Sequence, residues 1–134
     1  MGILRTEKLA VDSADDIVRV RQVVRAWAIE RRFSLVDQTK LVTAASELAR
    51  NMLLYAGGGT VELESLEEQG RHGLRLTFED HGPGIADIGL AMKDGYTTGS
   101  GLGLGLGGAK RLVNEFDIQS RPGVGTSIRI ARWR

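Results

Sequence analysis

The chain has 134 residues, 42% of them hydrophobic, which predicts one compact core and a single domain over residues 1–134. Lysine and arginine total 18 against 17 aspartates and glutamates, and the resulting net charge of +1 argues against a nucleic-acid partner. There is no cysteine to form disulfides or thiolate metal sites, and no apolar run approaches the roughly 20 residues that a bilayer crossing needs. We therefore expect a cytoplasmic protein without a membrane partner.

One strand and two helices are predicted in the first half of the chain. They cover Ile3–Val11, Ser13 to about Phe33, and Ser34 to about Ala56. Each helix begins with a serine and an aspartate three residues later, a spacing typical of an N-terminal cap: Ser13 with Asp16, and Ser34 with Asp37. The run Gly57–Gly59 ends the second helix, whose apolar residues recur on one face.

The second half is predicted to contain a hairpin, a long loop, a third helix and two closing strands. The strands cover Thr60–Glu67, His72–Asp80, Ile118–Arg121 and Thr126–Trp133, and the loop covers Gly82–Gly101. Steps of four and three separate the apolar residues of the third helix: Leu102, Leu106, Ala109, Val113 and Phe116. These elements predict an α+β two-layer sandwich, with three main helices on one face of a mixed, largely antiparallel sheet.

Asp80 is a carboxylate at a position where the pattern predicts a buried side chain. Leu74, Leu76 and Phe78 alternate with polar residues, so the period of two places Asp80 on the core-facing side of its strand. Burying a carboxylate is costly unless hydrogen-bond donors satisfy it. Asp80 is therefore either a turn-forming aspartate before Gly82 or an acceptor for the exocyclic amine of adenine, which would reject guanine.

Glycines crowd into the run from Gly99 to Gly108, where the third helix is predicted to begin. Each interior glycine costs a helix about 1 kcal/mol relative to alanine, so a compensating interaction is expected. Exposed N–H groups at a helix N-terminus form an anion site, and positions without side chains let phosphates lie against the backbone. The alternative is a flexible loop that binds no ligand.

Glu47 and Asn51 lie one helical turn apart and share a face of the second predicted helix. A solvated helix flank is the ordinary explanation of such a pair. Beside a phosphate-binding loop, however, the carboxylate suits a general base and the amide oxygen suits Mg²⁺.

Four motifs follow one another in the order of the N, G1, G2 and G3 boxes of the GHKL ATPases. They are Glu47-x-x-x-Asn51, Asp80-x-Gly82-x-Gly84, Gly101-x-Gly103-x-Gly105 and Gly125-Thr126. The chain resembles this family over nearly its whole length, and within it the anti-sigma-factor-type serine kinases, most closely the switch kinases of the stressosome. The closer resemblance rests on segments that include Ser46–Asn51 and Leu54–Gly57.

The resemblance implies a Bergerat fold that binds ATP and Mg²⁺. Glu47 would be the catalytic base and Asn51 the metal ligand, while Asp80 would read adenine. Thr126 would support the Asp80 carboxylate through a water molecule. The other ATP-binding residues implied by the boxes are Gly82, Gly84, Ile85, Thr98, Gly101, Leu102, Gly103, Leu104, Gly105 and Leu106.

The resemblance also implies partners. A serine/threonine kinase of this type phosphorylates STAS-domain proteins and then, once released, activates a metal-dependent serine/threonine phosphatase. Two alternatives share the same boxes: an anti-sigma factor that sequesters a sigma factor, and an ATP-binding regulatory module with vestigial catalysis.

Overall fold

The computed structural model of the chain describes residues 2–85, 88–92 and 104–134. In chain order its elements are β1 (Gly2–Val11), α1 (Ala14–Glu30), α2 (Leu35–Ala56), β2 (Gly59–Glu68), β3 (Arg71–Asp80), α3 (Ile88–Ala91), α4 (Leu104–Arg111), β4 (Glu115–Arg121) and β5 (Gly125–Trp133). The strands form one sheet in the order β1-β2-β3-β5-β4. The predicted α+β fold is confirmed.

Each pair of neighbouring strands in this sheet is antiparallel. The predicted hairpin joins β2 to β3, and its turn places Gln69 and Gly70 at positive φ angles of 51° and 81°. Such angles favour glycine, so Gly70 fits the turn. β5 lies between β3 and β4, which brings Thr126 opposite Asp80 in the register.

The hydrophobic core lies between the sheet and the helices α1 and α2. It includes Leu63 and Leu76 from the sheet and Leu41 and Leu48 from α2, all with side chains at most 2% exposed. Alternation along the strands and the 3.6-residue period of the helix bring these residues to one interface. Among the described residues, no helix is long and apolar enough to cross a membrane.

The two predicted helix caps differ in the structure. Ser34 Oγ accepts a hydrogen bond of 3.1 Å from the backbone N–H of Asp37, as the capping pattern predicts. Ser13 occupies the cap position of α1 but makes no side-chain cap bond; Asp16 Oδ2 instead accepts from the backbone N–H of Asp12 at 2.8 Å. α1 ends at Glu30, three residues before the predicted end.

The prediction of a third helix continuing to Phe116 is wrong. α4 ends at Arg111, Val113 lies outside it, and Phe116 belongs to β4, which begins at Glu115 and not at Ile118. Phe116 pairs with Ile130 on β5, and an apolar residue at this spacing satisfies a strand period as well as a helix period. The short helix α3 also lies inside the stretch predicted to be a loop.

Candidate functional site

Asp80 is the last residue of β3, and its carboxylate is held by two backbone donors. Asp80 Oδ1 accepts hydrogen bonds from the N–H of Gly82 at 2.9 Å and from the N–H of Thr126 at 3.3 Å. The other oxygen, Oδ2, accepts no hydrogen bond from the described residues. The half-buried carboxylate is thus fixed through one oxygen and leaves the other available for a donor on a ligand, such as an exocyclic amine.

Asp80 lies directly against α2. A Cβ added to Gly59 would lie 2.6 Å from Met52 Sδ and 3.2 Å from Asp80 Cβ, so both side chains border the same glycine. Met52 follows Asn51 on α2, so the predicted metal ligand lies one residue along the helix from the side chain that borders Gly59 and Asp80. Glycine is required at position 59 because a Cβ there would lie 2.4 Å from the backbone oxygen of Glu79.

The loop after β3 packs against the C-terminal end of the same helix. A Cβ on Gly82 would lie 2.4 Å from Ala56 Cβ, which leaves no room for a side chain. Gly84 has a φ of +76°, and a Cβ there would lie 2.3 Å from the backbone oxygen of Arg121. Gly82 and Gly84 are thus needed for close approach to α2 and to the turn after β4, respectively.

Ser120 is a site residue that the sequence interpretation missed. Its Oγ accepts a hydrogen bond of 2.7 Å from the N–H of Ile85 and lies 2.8 Å from Thr126 Oγ1. It also donates to the backbone oxygen of Gly125 at 3.2 Å. Ser120 follows Phe116 and Ile118 on the same face of β4, so the alternation that identified Asp80 would have identified this polar residue too.

Thr126 contacts Asp80 through its backbone, and the predicted support through a water molecule stays a prediction. Its backbone N–H donates directly to the carboxylate, while its hydroxyl is engaged with Ser120. The Thr126 side chain is only 9% exposed, and β4 and β5 pair Ser120 with Thr126 in register. These contacts connect Ile85, in the loop after β3, to β5, the strand whose Thr126 N–H donates to the Asp80 carboxylate.

Asn51 carries a buried polar atom with no partner. Its Nδ2 is fully buried and makes no hydrogen bond to the described residues, although Asn51 as a whole is half-buried. Buried polar atoms in folded proteins are nearly always paired, and an amide nitrogen is a donor, so the unpaired Nδ2 calls for a hydrogen-bond acceptor and does not itself indicate a cation. An asparagine amide provides one oxygen to a hard cation such as Mg²⁺, which typically takes few protein ligands and keeps phosphate and water oxygens.

Glu47 lies one turn before Asn51 on α2, with its side chain 35% exposed. Its Oε1 accepts a hydrogen bond of 3.3 Å from Arg50 Nη1. The carboxylate is therefore reached by solvent and is held by an arginine on its own helix.

The glycine-rich helix is described from Leu104 onward. Leu104, Gly105 and Leu106 lie in α4, which packs against α2, and the Leu106 side chain is buried. The other predicted members of the phosphate cradle, Thr98 and residues 101–103, lie outside the described residues. Their predicted roles therefore stay predictions, as do the roles assigned to the rest of the site.

Comparisons with known proteins identify the family to which the chain is similar. Residues 36–134 match the family described as histidine kinase-, DNA gyrase B-, and HSP90-like ATPase. The chain is 49% identical over 118 residues to the serine/threonine-protein kinase RsbT of Bacillus subtilis (strain 168), covering 88% of this chain and 89% of that protein. It is 27% identical over 118 residues to the anti-sigma F factor of Thermoanaerobacter sp. (strain X514), covering 84% and 82%.

Two solved structures share the fold. The structure of the RsbU and RsbW domains of Rv1364c from Mycobacterium tuberculosis matches with a TM-score of 0.66 and 22% identity, covering 97% of this chain and 33% of that one. The SiaB-SiaC complex from Pseudomonas aeruginosa matches with a TM-score of 0.59 and 14% identity, covering 98% and 91%. The predicted family is confirmed by the sequence matches and agrees with these folds. The chain belongs to the histidine kinase-, DNA gyrase B- and HSP90-like ATPase family.

Proposed function

We propose that the chain is an ATP-dependent serine/threonine protein kinase that phosphorylates STAS-domain partner proteins. The observation that carries this proposal is the position of Asp80, with Oδ2 open to a ligand, against the helix that bears Glu47 and Asn51. The 49% identity with a serine/threonine-protein kinase favours transfer of the phosphoryl group to a protein over transfer to water.

In this proposal Asp80 binds the adenine of Mg-ATP and Asn51 binds its metal ion. Asp80 Oδ2 accepts the exocyclic amine of adenine, while the backbone N–H groups of Gly82 and Thr126 keep the carboxylate in place. Asn51 holds Mg²⁺, which when bound neutralises charge on the triphosphate. The described residues contain no group of three or more His, Cys, Asp or Glu side chains placed to hold a metal, so phosphate and water oxygens would complete the coordination.

Glu47 is the general base in this proposal. It takes the proton from a serine or threonine hydroxyl of the partner as that oxygen bonds to the γ-phosphorus. The bond from the γ-phosphorus to the β,γ-bridging oxygen breaks, ADP leaves, and Glu47 passes its proton to solvent. Its partial exposure permits both the approach of a protein hydroxyl and the release of the proton.

The consequence for regulation is a switch of partners. After its STAS-domain partner is phosphorylated, the kinase is released and activates a metal-dependent serine/threonine phosphatase. The match with an anti-sigma F factor at 27% identity supports a second candidate, direct capture of a sigma factor. Pull-down against purified sigma and STAS-domain proteins distinguishes the two, since only one class should be retained.

The test is phosphoryl transfer from radiolabelled Mg-ATP to purified STAS-domain proteins of the same organism. The wild-type chain should label serine or threonine, and Glu47→Gln should lose at least about a hundredfold in rate, the lower end of general-base contributions, with ATP affinity retained. Glu68→Gln, an exposed glutamate at the end of β2, is the matched control. Undiminished transfer by Glu47→Gln would remove Glu47 from the mechanism, and absence of transfer by the wild type would contradict the proposed kinase.

A further inference from the structure

Most of the fully exposed side chains of α2 are uncharged, although the half-buried Lys40 and Glu47 lie among them. The exposed residues of α2 are Leu35, Val36, Thr39, Thr43, Arg50 and Leu54, of which only Arg50 is charged. The other long helix, α1, exposes four charged residues: Asp15, Arg19, Arg21 and Glu30. Depletion of charge on an exposed surface is typical of the centre of a protein–protein interface.

These residues form one stripe with Glu47 inside it. At about 100° per residue, Val36, Thr39, Thr43, Glu47, Arg50 and Leu54 project within about a quarter of the helix circumference. From Val36 to Leu54 the stripe is about 27 Å long at 1.5 Å per residue. The apolar side chains at its two ends, Val36 and Leu54, are 61% and 62% exposed.

A protein that gives a hydroxyl to Glu47 must approach over this stripe. The hydroxyl oxygen has to come within about 3 Å of the Glu47 carboxylate. The opposite side of α2 is filled by Leu48, Ala49 and Met52, all buried in the core, so no protein can reach Glu47 from there. The stripe flanks Glu47 on both sides along the helix, and a folded partner would cover it during transfer.

We propose that the stripe formed by Val36, Thr39, Thr43, Arg50 and Leu54 is the docking surface for the phosphoacceptor protein. This proposal rests on the kinase function proposed above. Leu54 supplies an apolar anchor about two helical turns along α2 from Glu47, and Thr39 and Thr43 allow close contact without charge. Arg50, now paired with Glu47, is placed to contact the partner's acceptor segment directly.

The test introduces a charge on either side of Glu47 along the stripe, with Thr39→Lys and Leu54→Lys. Both positions are exposed on α2, so the fold should be retained. The KM for the STAS-domain substrate should rise about tenfold or more, because an unpaired charge in an interface is costly. The Kd for ATP, measured by calorimetry, should stay within about twofold. Val18→Lys, an equivalent change on the exposed face of α1, should alter neither constant.

Binding without transfer separates the two proposals. Calorimetry of the chain with a non-hydrolysable ATP analogue and the STAS-domain protein measures docking alone. If the wild type binds the protein without phosphorylating it, the kinase proposal fails, while weaker binding by the two lysine variants still supports the docking surface. Unchanged KM and binding in both variants would overturn the docking proposal. The docking proposal would also be overturned if both lysine variants kept the wild-type KM and binding but lost a homodimer or another bound partner. The stripe would then serve that other contact.

Discussion

Asp37 and Arg132 form an ion pair between residues 95 positions apart in the chain. Two guanidinium nitrogens, Nε and Nη2, donate to Asp37 Oδ1, and Nη1 donates to the backbone oxygen of Leu112 at 2.8 Å. Asp37 lies in the first turn of α2, Arg132 lies in β5, and Leu112 follows α4. One arginine therefore ties the start of α2 to the sheet and to the end of the glycine-rich helix.

Asp37 should make stability depend on pH in the acid range. The hydrogen bond from Arg132 holds the pKa of the Asp37 carboxyl below its usual value. Because this pKa is lower in the folded state, the ionised carboxylate stabilises the fold at pH values above the unfolded-state pKa, which is near 3.9. This contribution is lost as the pH falls through the folded-state pKa. Asp37→Asn should therefore cost about 1 to 3 kcal/mol of unfolding free energy at pH 7. The difference from wild type should shrink below about pH 4.

Urea unfolding of both proteins between pH 7 and pH 3 measures this difference. Asp15→Asn is the matched control, because Asp15 lies in the first turn of α1 and has no ion pair in the described structure. A penalty for Asp37→Asn that stays constant down to pH 3 would contradict the assigned role of the Asp37 charge.

Gly82→Ala should weaken ATP binding. The added methyl group would lie 2.4 Å from Ala56 Cβ, so the loop must move away from α2 and take the Gly82 N–H away from Asp80. Overpacking of this kind costs about 1 to 3 kcal/mol of stability. Gly108→Ala is the control, because Gly108 is not among the residues assigned to ATP, a Cβ there meets no atom of the described residues within 4 Å, and alanine favours the helix. Calorimetry with ATP and thermal unfolding should show losses for Gly82→Ala and none for Gly108→Ala; equal effects would refute the steric argument.

Alanine substitutions at the N-terminal caps of α1 and α2 should change the unfolding free energy by different amounts. Ser34→Ala removes a cap bond to Asp37 and should cost about 0.5 to 2 kcal/mol. Ser13 makes no such bond, so Ser13→Ala should cost little. The measurement is the change in unfolding free energy for each variant. Equal penalties would mean that Ser13 caps α1 in solution.

Local patterns predicted most of the elements correctly. The hairpin of β2 and β3, the cap of α2 and the core-facing position of Asp80 each follow from a few neighbouring residues. The prediction that Phe116 belongs to the third helix is wrong because its spacing fits both a helix and a strand. Only its pairing with Ile130 decides between the two.

The interactions that complete the site depend on residues far apart in the chain. The Thr126 N–H reaches Asp80 only because β5 lies beside β3, and no local period encodes that neighbour. The pairing of Asp37 with Arg132 has the same origin. Ser120 was within reach of the sequence argument, since its strand alternates as clearly as that of Asp80, but its three hydrogen bonds required the structure.

Asp80→Asn tests most directly whether Asp80 reads adenine through Oδ2. Two backbone N–H groups require an oxygen at the Oδ1 position, so the new amide must place its NH₂ group where Oδ2 stands. That donor cannot accept the adenine amine. Calorimetry should show ATP affinity reduced by about one to two decades with the thermal unfolding midpoint retained. ATP affinity equal to wild type in the folded variant would contradict the account.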